Sequence, residues 1–363
     1  MSEAPERRGD PFEAKARLLA TEAGHDPDAR IPHTSKPGRT APLWTTWRDA
    51  ARTAMDAEHA ATAAAEVASL RPQAPEYQGS PLRVFGEHEE TTPAQMRNCM
   101  GVGNAVAGVV CADGHLGYAQ PVGGVIAYEG QISVSGVGFD IACGNMAVRL
   151  DTPYAAVEGK VLDILADIRR TISFGVGRTN EERVEHPLLE LAGRYAYAGR
   201  EWVVERVRRI IGGAVADRIH NHHNYAWRES HGGRDLWVVR KGATPAFPGQ
   251  RGFVGGTMGD DAVILEGVES EEAKAALYST VHGAGRLFGR KEAKRRFTHA
   301  EWSEWLRRRG VLLAGGGLDE SPMAYRRLPD VLAHHAGTVR VLHTLYPFAV
   351  AMAGEGEYDP FKD

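Results

Sequence analysis

Four short stretches of the chain hold polar residues whose types and spacing could do chemistry. In "CADGHLGYAQPVGGV", residues 111–125, Asp113 and His115 sit between glycines. In "GVGFDIACG", residues 136–144, Asp140 and Cys143 stand three positions apart inside a glycine-rich turn. A helix or strand core would not choose Asp there, and a plain surface turn rarely chooses Cys. "HNHHNYAW" supplies His220, His222, His223 and Asn224, and "VHGAGR" supplies His282 and Arg286. Carboxylate oxygen, thiolate sulfur and imidazole nitrogen together suit a borderline divalent ion such as Mn, Zn, Fe or Co, and suit calcium or magnesium poorly. The plainer reading is a turn-forming Asp, a buried Cys and a solvated cluster of histidines at a helix end. His282, flanked by small residues, has an open imidazole with a guanidinium close by and backbone N–H groups that can bind phosphate. Attack on a nucleotide phosphate needs that arrangement, and an ordinary glycine turn with a surface His is the alternative. "RKGATPA" adds Arg240 and Lys241 before a glycine, and "GGTMG" at 255–259 offers a loop whose backbone could approach a nucleotide. "RLFGRKEAKRR" at 286–296 gathers a basic run, by default a solvated face, that could also track nucleic-acid phosphates.

The elements that must position these residues can be read from the pattern. The 363 residues, 43% hydrophobic and 25% charged, have the balance of a globular protein with a full core. A net charge of -4 excludes a globally basic coat for nucleic acid but leaves room for a local basic surface. Three cysteines, Cys99, Cys111 and Cys143, argue against a disulfide framework and for a reducing compartment. With no apolar leader and no run long enough to span a bilayer, the expected location is cytoplasmic, away from membranes. Residues 1–80, rich in Ala, Pro, Arg and Glu, read as an extension, partly helical over 44–70 and partly mobile. From residue 81 short apolar runs punctuated by glycine predict strands and tight turns, as far as "NMAVRL". Helices are expected over 161–172 and 202–219, strands at "WVVRKGATPAF" and "DDAVILEGV", a basic helix at "RKEAKRRF", a glycine turn at "AGGG" and a helix over 328–345. The interleaving predicts an α+β fold.

Seven of these stretches, "DGHLGYAQPVGGV", "GVGFDIACG", "HHNYA", "RKGATPA", "GTMG", "HGAGR" and "DESPMAYR", resemble, in order, the motifs of the RtcB-type RNA ligases. The resemblance runs from about residue 81 to 354. It implies a single α+β catalytic domain over 81–363, with strands around a central metal and nucleotide cleft. It implies an enzyme that joins an RNA 3′-phosphate or 2′,3′-cyclic phosphate end to a 5′-hydroxyl end with GTP and manganese, in tRNA splicing or RNA repair. By the same resemblance Asp140, Cys143 and His223 are metal ligands, with the Cys thiolate shared between two ions, and His282 receives GMP. Asn224, Lys241, Gly255, Gly256, Thr257, Met258, Gly283, Ala284, Gly285 and Arg286 would contact the nucleotide.

The sequence also departs from that family. Two further histidine motifs expected between the Asp140–Cys143 turn and "HHNYA" are absent from residues 173–211, and a block is missing near 185–192. Ala353 stands where many members have a guanine-reading Lys, and Ala262 where a Ser is common. Those departures carry two alternatives: an impaired homologue that binds RNA or a nucleotide, and a metal-dependent phosphohydrolase.

Overall fold

The computed structural model describes residues 13–32, 40–48, 50–55, 79–138, 140–172, 174 and 192–354. The chain divides into compact units at 1–74 and 75–363. In the first, a helix Glu13–Glu22 and a small antiparallel pair, Arg30–Pro32 with Thr40–Pro42, precede a 3-10 turn Leu43–Trp47 that runs on into helix at 48 and 50–55. The rest of the helix expected over 44–70 lies outside the described residues.

The second unit is built on a five-stranded sheet in the order Leu82–Val84, Ala105–His115, Val122–Tyr128, Arg234–Lys241 and Asn224–His231. Its central strands read as continuous apolar runs because both faces are covered. Successive side chains point to opposite faces. Val109, Val125, Ala127 and Val238 therefore enter one core cluster with Leu265, Leu277, Leu328 and Val331. Val110, Ile126, Tyr128 and Val239 enter the other, under Met96 and Met100 of the helix Thr91–Met100. That helix lies so close that a Cβ on Gly108 would come within 2.2 Å of the Met100 sulfur.

Around this sheet stand smaller ones. Gly144–Leu150 pairs with Val215–His222, Ala243–Pro245 with Ser279–Val281, and Leu312–Gly316 runs parallel to Ala349–Gly354. Arg251–Val254, Ala262–Gly267 and Val339–Leu345 form a three-stranded sheet. The α+β class stands. Two expected helices end earlier than the periodicity suggested. The helix Ala192–Ile211 ends at Gly212 and Gly213, both at positive φ, and Val215–His222 is a strand. The segment expected as a helix over 328–345 is a helix only at Leu328–Ala333, followed by a strand Val339–Leu345. In both cases strand pairing overrides a pattern that fits either period over a short span.

His335 closes the first cluster. It is fully buried, stacks on Phe85 with ring centroids 4.4 Å apart, accepts from the Ala112 amide at Nε2 (3.2 Å), and places Nδ1 3.1 Å from the Thr338 hydroxyl. Burial pushes its pKa from 6.5 down to about 4. The unfolded chain therefore takes up this proton first. The stability this neutral imidazole provides is complete above pH 6.5 and is lost as pH falls toward 4, by about 3 kcal/mol in all. Urea unfolding between pH 7.5 and 4.5 should show that acid slope flattened in His335→Gln; an unchanged slope would assign the loss to other groups.

Candidate functional site

The site is organised around Asp113, which owes its direction to an irregularity in its strand. Ala105–His115 and Val122–Tyr128 pair as Val110 with Gly124 and then as His115 with Val122, so residues 111–114 bulge opposite Gly123 alone. A bulge re-aims side chains. Here it drives the Asp113 carboxylate into the interior, where it is fully buried. Asp113 Oδ2 accepts the backbone N–H groups of His282 (3.0 Å) and Gly283 (3.3 Å) and stands 2.6 Å from His282 Nδ1. Burial alone would raise the carboxyl and lower the imidazole. Their mutual attraction outweighs it, holding Asp113 below and His282 above their ordinary ranges. Asp113 Oδ1 is buried with no hydrogen-bond partner.

The "HGAGR" turn fits this carboxylate closely. Gly285 has φ +75°, and a Cβ there would lie 2.3 Å from the Asp113 carbonyl oxygen, so the glycine is required by close approach to that strand. By contrast, little stands near Gly283. Asn145 fixes the turn from the other side, with Nδ2 donating to the carbonyls of His282 (3.2 Å) and Phe253 (3.3 Å). His282, its side chain 22% exposed, then faces a cavity of about 400 Å³ shared with Gly255, Gly256, residues 283–285 and Arg286. The Arg286 guanidinium is held by the Phe288 and Asp319 carbonyls and by Tyr325, and lies 4.7 Å from the Tyr325 ring centroid. It is therefore held in a fixed orientation at the cavity wall, with the Glu320 carboxylate 3.4 Å from Nη1.

Asp140, Cys143, His223 and Asn224 come together at one junction behind His282. The Cys143 amide donates to the Asp140 carbonyl (2.9 Å), and the His223 amide to the Cys143 carbonyl (2.9 Å). Asn224 bridges the turn to the next strand: Nδ2 donates to Asp140 Oδ1 (2.7 Å), and Oδ1 accepts from the Gly242 amide (2.6 Å). His223 is buried with its ring edge-on to His282, centroids 4.9 Å apart. Burial holds His223 well below its usual pKa, and burial together with Asp140 pushes the Cys143 thiol up to about 11. Among the described residues no group of three or more His, Cys, Asp or Glu side chains could hold a metal ion. In this arrangement Asp140 Oδ1 is engaged by the Asn224 amide, and the described residues bring no third donor beside the pairings of Asp140, Cys143 and His223.

His220 and His222 belong to the strand Val215–His222, not to a helix end, and turn toward Arg200. Its Nε donates to His220 Nε2 (2.6 Å), its Nη1 to the Ala142 carbonyl (2.9 Å), and its Nη2 lies 3.0 Å from His222 Nδ1. Burial, helped by this guanidinium, lowers both imidazoles to about 4, so they are neutral.

Several other residues expected to contact a nucleotide are engaged by neighbours within the fold. The Met258 side chain is buried against Trp302, whose Nε1 donates to its sulfur (3.1 Å), and the Thr257 hydroxyl donates to the Met258 carbonyl (3.3 Å). Lys241 Nζ donates to the carbonyls of Tyr118 and Gln120 and lies over the Tyr118 ring. Asn224 is a buried bridge, and Arg240 a fully buried structural cation. Sequence reasoning noticed Asp113 but gave it no partner, and gave Asn145 and Arg200 no role. The signal for Asp113 was a lone carboxylate inside an apolar run.

The family described as "tRNA-splicing ligase RtcB" matches residues 95–190 and 187–353. The RNA-splicing ligase RtcB of Escherichia coli (strain K12) is 36% identical over 129 residues, 36% of this chain and 31% of that protein. That of Mycobacterium tuberculosis (strain ATCC 25618 / H37Rv) is 32% identical over 183 residues, covering 43% and 42%. The tRNA-splicing ligase RtcB of Thermococcus kodakarensis is 30% identical over 195 residues, covering 45% and 40%. The matched part of the chain spans 31% to 42% of the length of these relatives. With the family match covering most of its length, the chain belongs to the tRNA-splicing ligase RtcB family.

Proposed function

We propose that this protein is an RNA ligase that joins 3′-phosphate or 2′,3′-cyclic phosphate ends to 5′-hydroxyl ends, with GTP as cosubstrate, in tRNA splicing or RNA repair. The observation that carries the reading is the Asp113–His282 pair at the wall of a glycine-lined cavity beside Arg286. With Asp113 against Nδ1, the nitrogen available to a phosphate is Nε2. Its lone pair attacks the α-phosphorus of GTP, the bond to the bridging oxygen of the β-phosphate breaks, and pyrophosphate leaves. The imidazole carries positive charge in that adduct, and the buried carboxylate offsets it. An oxygen of the RNA 3′-phosphate then takes the guanylyl group from His282. Finally the 5′-hydroxyl oxygen attacks the activated 3′-phosphorus, GMP leaves, and the hydroxyl proton passes to solvent. A cyclic end needs prior opening by water.

The departures recorded above favour a second reading, a homologue that binds RNA or nucleotide without sealing, because the described residues supply no three-donor metal group. Incubation with α-labelled GTP, with and without manganese, separates the two. The ligase reading expects a covalent GMP adduct that disappears in His282→Ala, and a sealed product from RNA bearing the matching ends. Absence of adduct under both conditions, with RNA still bound, would sink it in favour of the second.

A further inference from the structure

A pocket of about 260 Å³ lies beside the end of the helix Thr91–Met100 and shares no lining residue with the cavity at His282. Its mouth carries Val102 and Ile132, apolar side chains 55% and 42% exposed, and its inner wall carries Gln120, which is 1% exposed. The Gln120 amide is only half satisfied. Nε2 donates to the carbonyls of Gly124 (2.6 Å) and Val239 (3.3 Å), and this fixes the orientation of the group, because the reverse would set oxygen against two oxygens. Oε1 is left buried with no hydrogen-bond partner. It points toward the turn 133–136, where a Cβ on Gly136 would lie 3.0 Å away, and Ser133 and Ser135 of that turn line the pocket. Other polar neighbours are already engaged by the protein. Cys99 Sγ donates to the Ala119 carbonyl (3.1 Å), Gln131 Oε1 accepts from the Asn104 amide (2.8 Å), and Ser133 Oγ accepts from the Gly136 amide (3.1 Å). None of the described residues lining the pocket is Asp, Glu, Lys, Arg or His.

We propose that this pocket is a binding site for a small neutral molecule, one that donates an N–H to Gln120 Oε1 and lays an apolar body against Val102 and Ile132. A buried side-chain carbonyl without a donor is uncommon in folded proteins, and a ligand N–H completes this one. The lining excludes charge: an ion here would lose its water and gain no counter-charge. Nucleotides and phosphates are therefore not the occupants, and the site is independent of the ligase reading. Volume sets the size. The cavity lies just below the range that takes drug-sized molecules, so one ring or two fused rings fill it. A largely apolar wall with a single placed polar atom is the usual make-up of such sites.

The probes are indole, which carries an N–H on an apolar body, and benzofuran, the same ring system with oxygen in place of the N–H. Calorimetric titration of the full chain should show indole binding roughly 3–10-fold more tightly, the worth of one hydrogen bond. Alkylation by iodoacetamide, read by mass spectrometry, reports where binding occurs. Cys99 lines the pocket, so indole should slow its labelling and leave any labelling of Cys143 unchanged. Val102→Ser/Ile132→Ser removes apolar surface at two exposed positions and should weaken indole at least fourfold, roughly the equivalent of one buried methylene. Thermal unfolding checks that this variant is folded. No binding of indole at millimolar concentration, equal affinity for benzofuran, Cys99 labelled at the same rate with and without indole, or unchanged affinity in the double variant each overturns the proposal.

Discussion

Asp113→Asn is expected to slow formation of the GMP adduct by roughly 10²–10⁴-fold, the span usual for loss of a positioned ionisable group, while the protein stays folded. The amide oxygen can still accept the His282 and Gly283 backbone N–H groups that Oδ2 now accepts at 3.0 and 3.3 Å. What it cannot supply is charge. The carboxylate lies 2.6 Å from Nδ1 and is fully buried, where an effective dielectric far below that of water makes its attraction for a developing imidazolium large. Asparagine could also turn its NH₂ toward the ring and present the wrong partner. Single-turnover labelling with α-labelled GTP, together with urea unfolding, checks both halves of this expectation. A variant that labels at the wild-type rate would show that the carboxylate has no part in the step.

Arg240→Met is expected to cost about 3–5 kcal/mol of stability, the range for breaking one side of a buried ion pair. The Arg240 side chain is fully buried. Its Nη1 and Nη2 bind the Glu229 carboxylate at 2.6 and 3.1 Å, its Nη2 the Leu277 carbonyl at 2.9 Å, and its Nε the Ser279 hydroxyl at 2.9 Å. These bonds tie the strand Arg234–Lys241 to the strand Ser279–Val281, which leads directly into His282. Methionine fills similar volume but leaves Glu229 charged and enclosed, with His231 at 2.8 Å as its remaining partner. Arg240→Met/Glu229→Leu should recover much of the loss, since two apolar groups carry no desolvation penalty. Chemical denaturation of the three proteins decides it. If the single variant unfolds like the wild type, the pair contributes nothing to the core.

How much of this was legible beforehand differs from element to element. The sheet strands were, because "AVAGVV" and "VGGVIAY" are long apolar runs bounded by turns, and both faces of that sheet are covered. So were the helices Val161–Thr171 and Arg290–Arg296. The strand Val215–His222 was not: its isoleucine and valine also fit a continuing helix, and only its partner, Gly144–Leu150, decides between them. The site divides in the same way. Motif order alone singled out His282, Arg286 and the Asp140–Cys143 turn. Lys241, expected as a nucleotide contact, is buried and donates to the Tyr118 and Gln120 carbonyls; a cation's role depends on what surrounds it, and the motif "RKG" is silent about that.

By itself the sequence determined the family, the α+β class and the small set of residue types able to do phosphoryl chemistry, since these follow from local pattern and motif order. The tertiary structure alone decided that Asp113, 169 positions before His282, is its partner. It also decided that Asn224 joins Asp140 to Gly242, and that Arg200 attends His220 and His222. The reason is physical: charge and hydrogen-bond partners act over a few ångströms, and such proximity between distant residues is created by sheet register, a bulge and close glycine contacts.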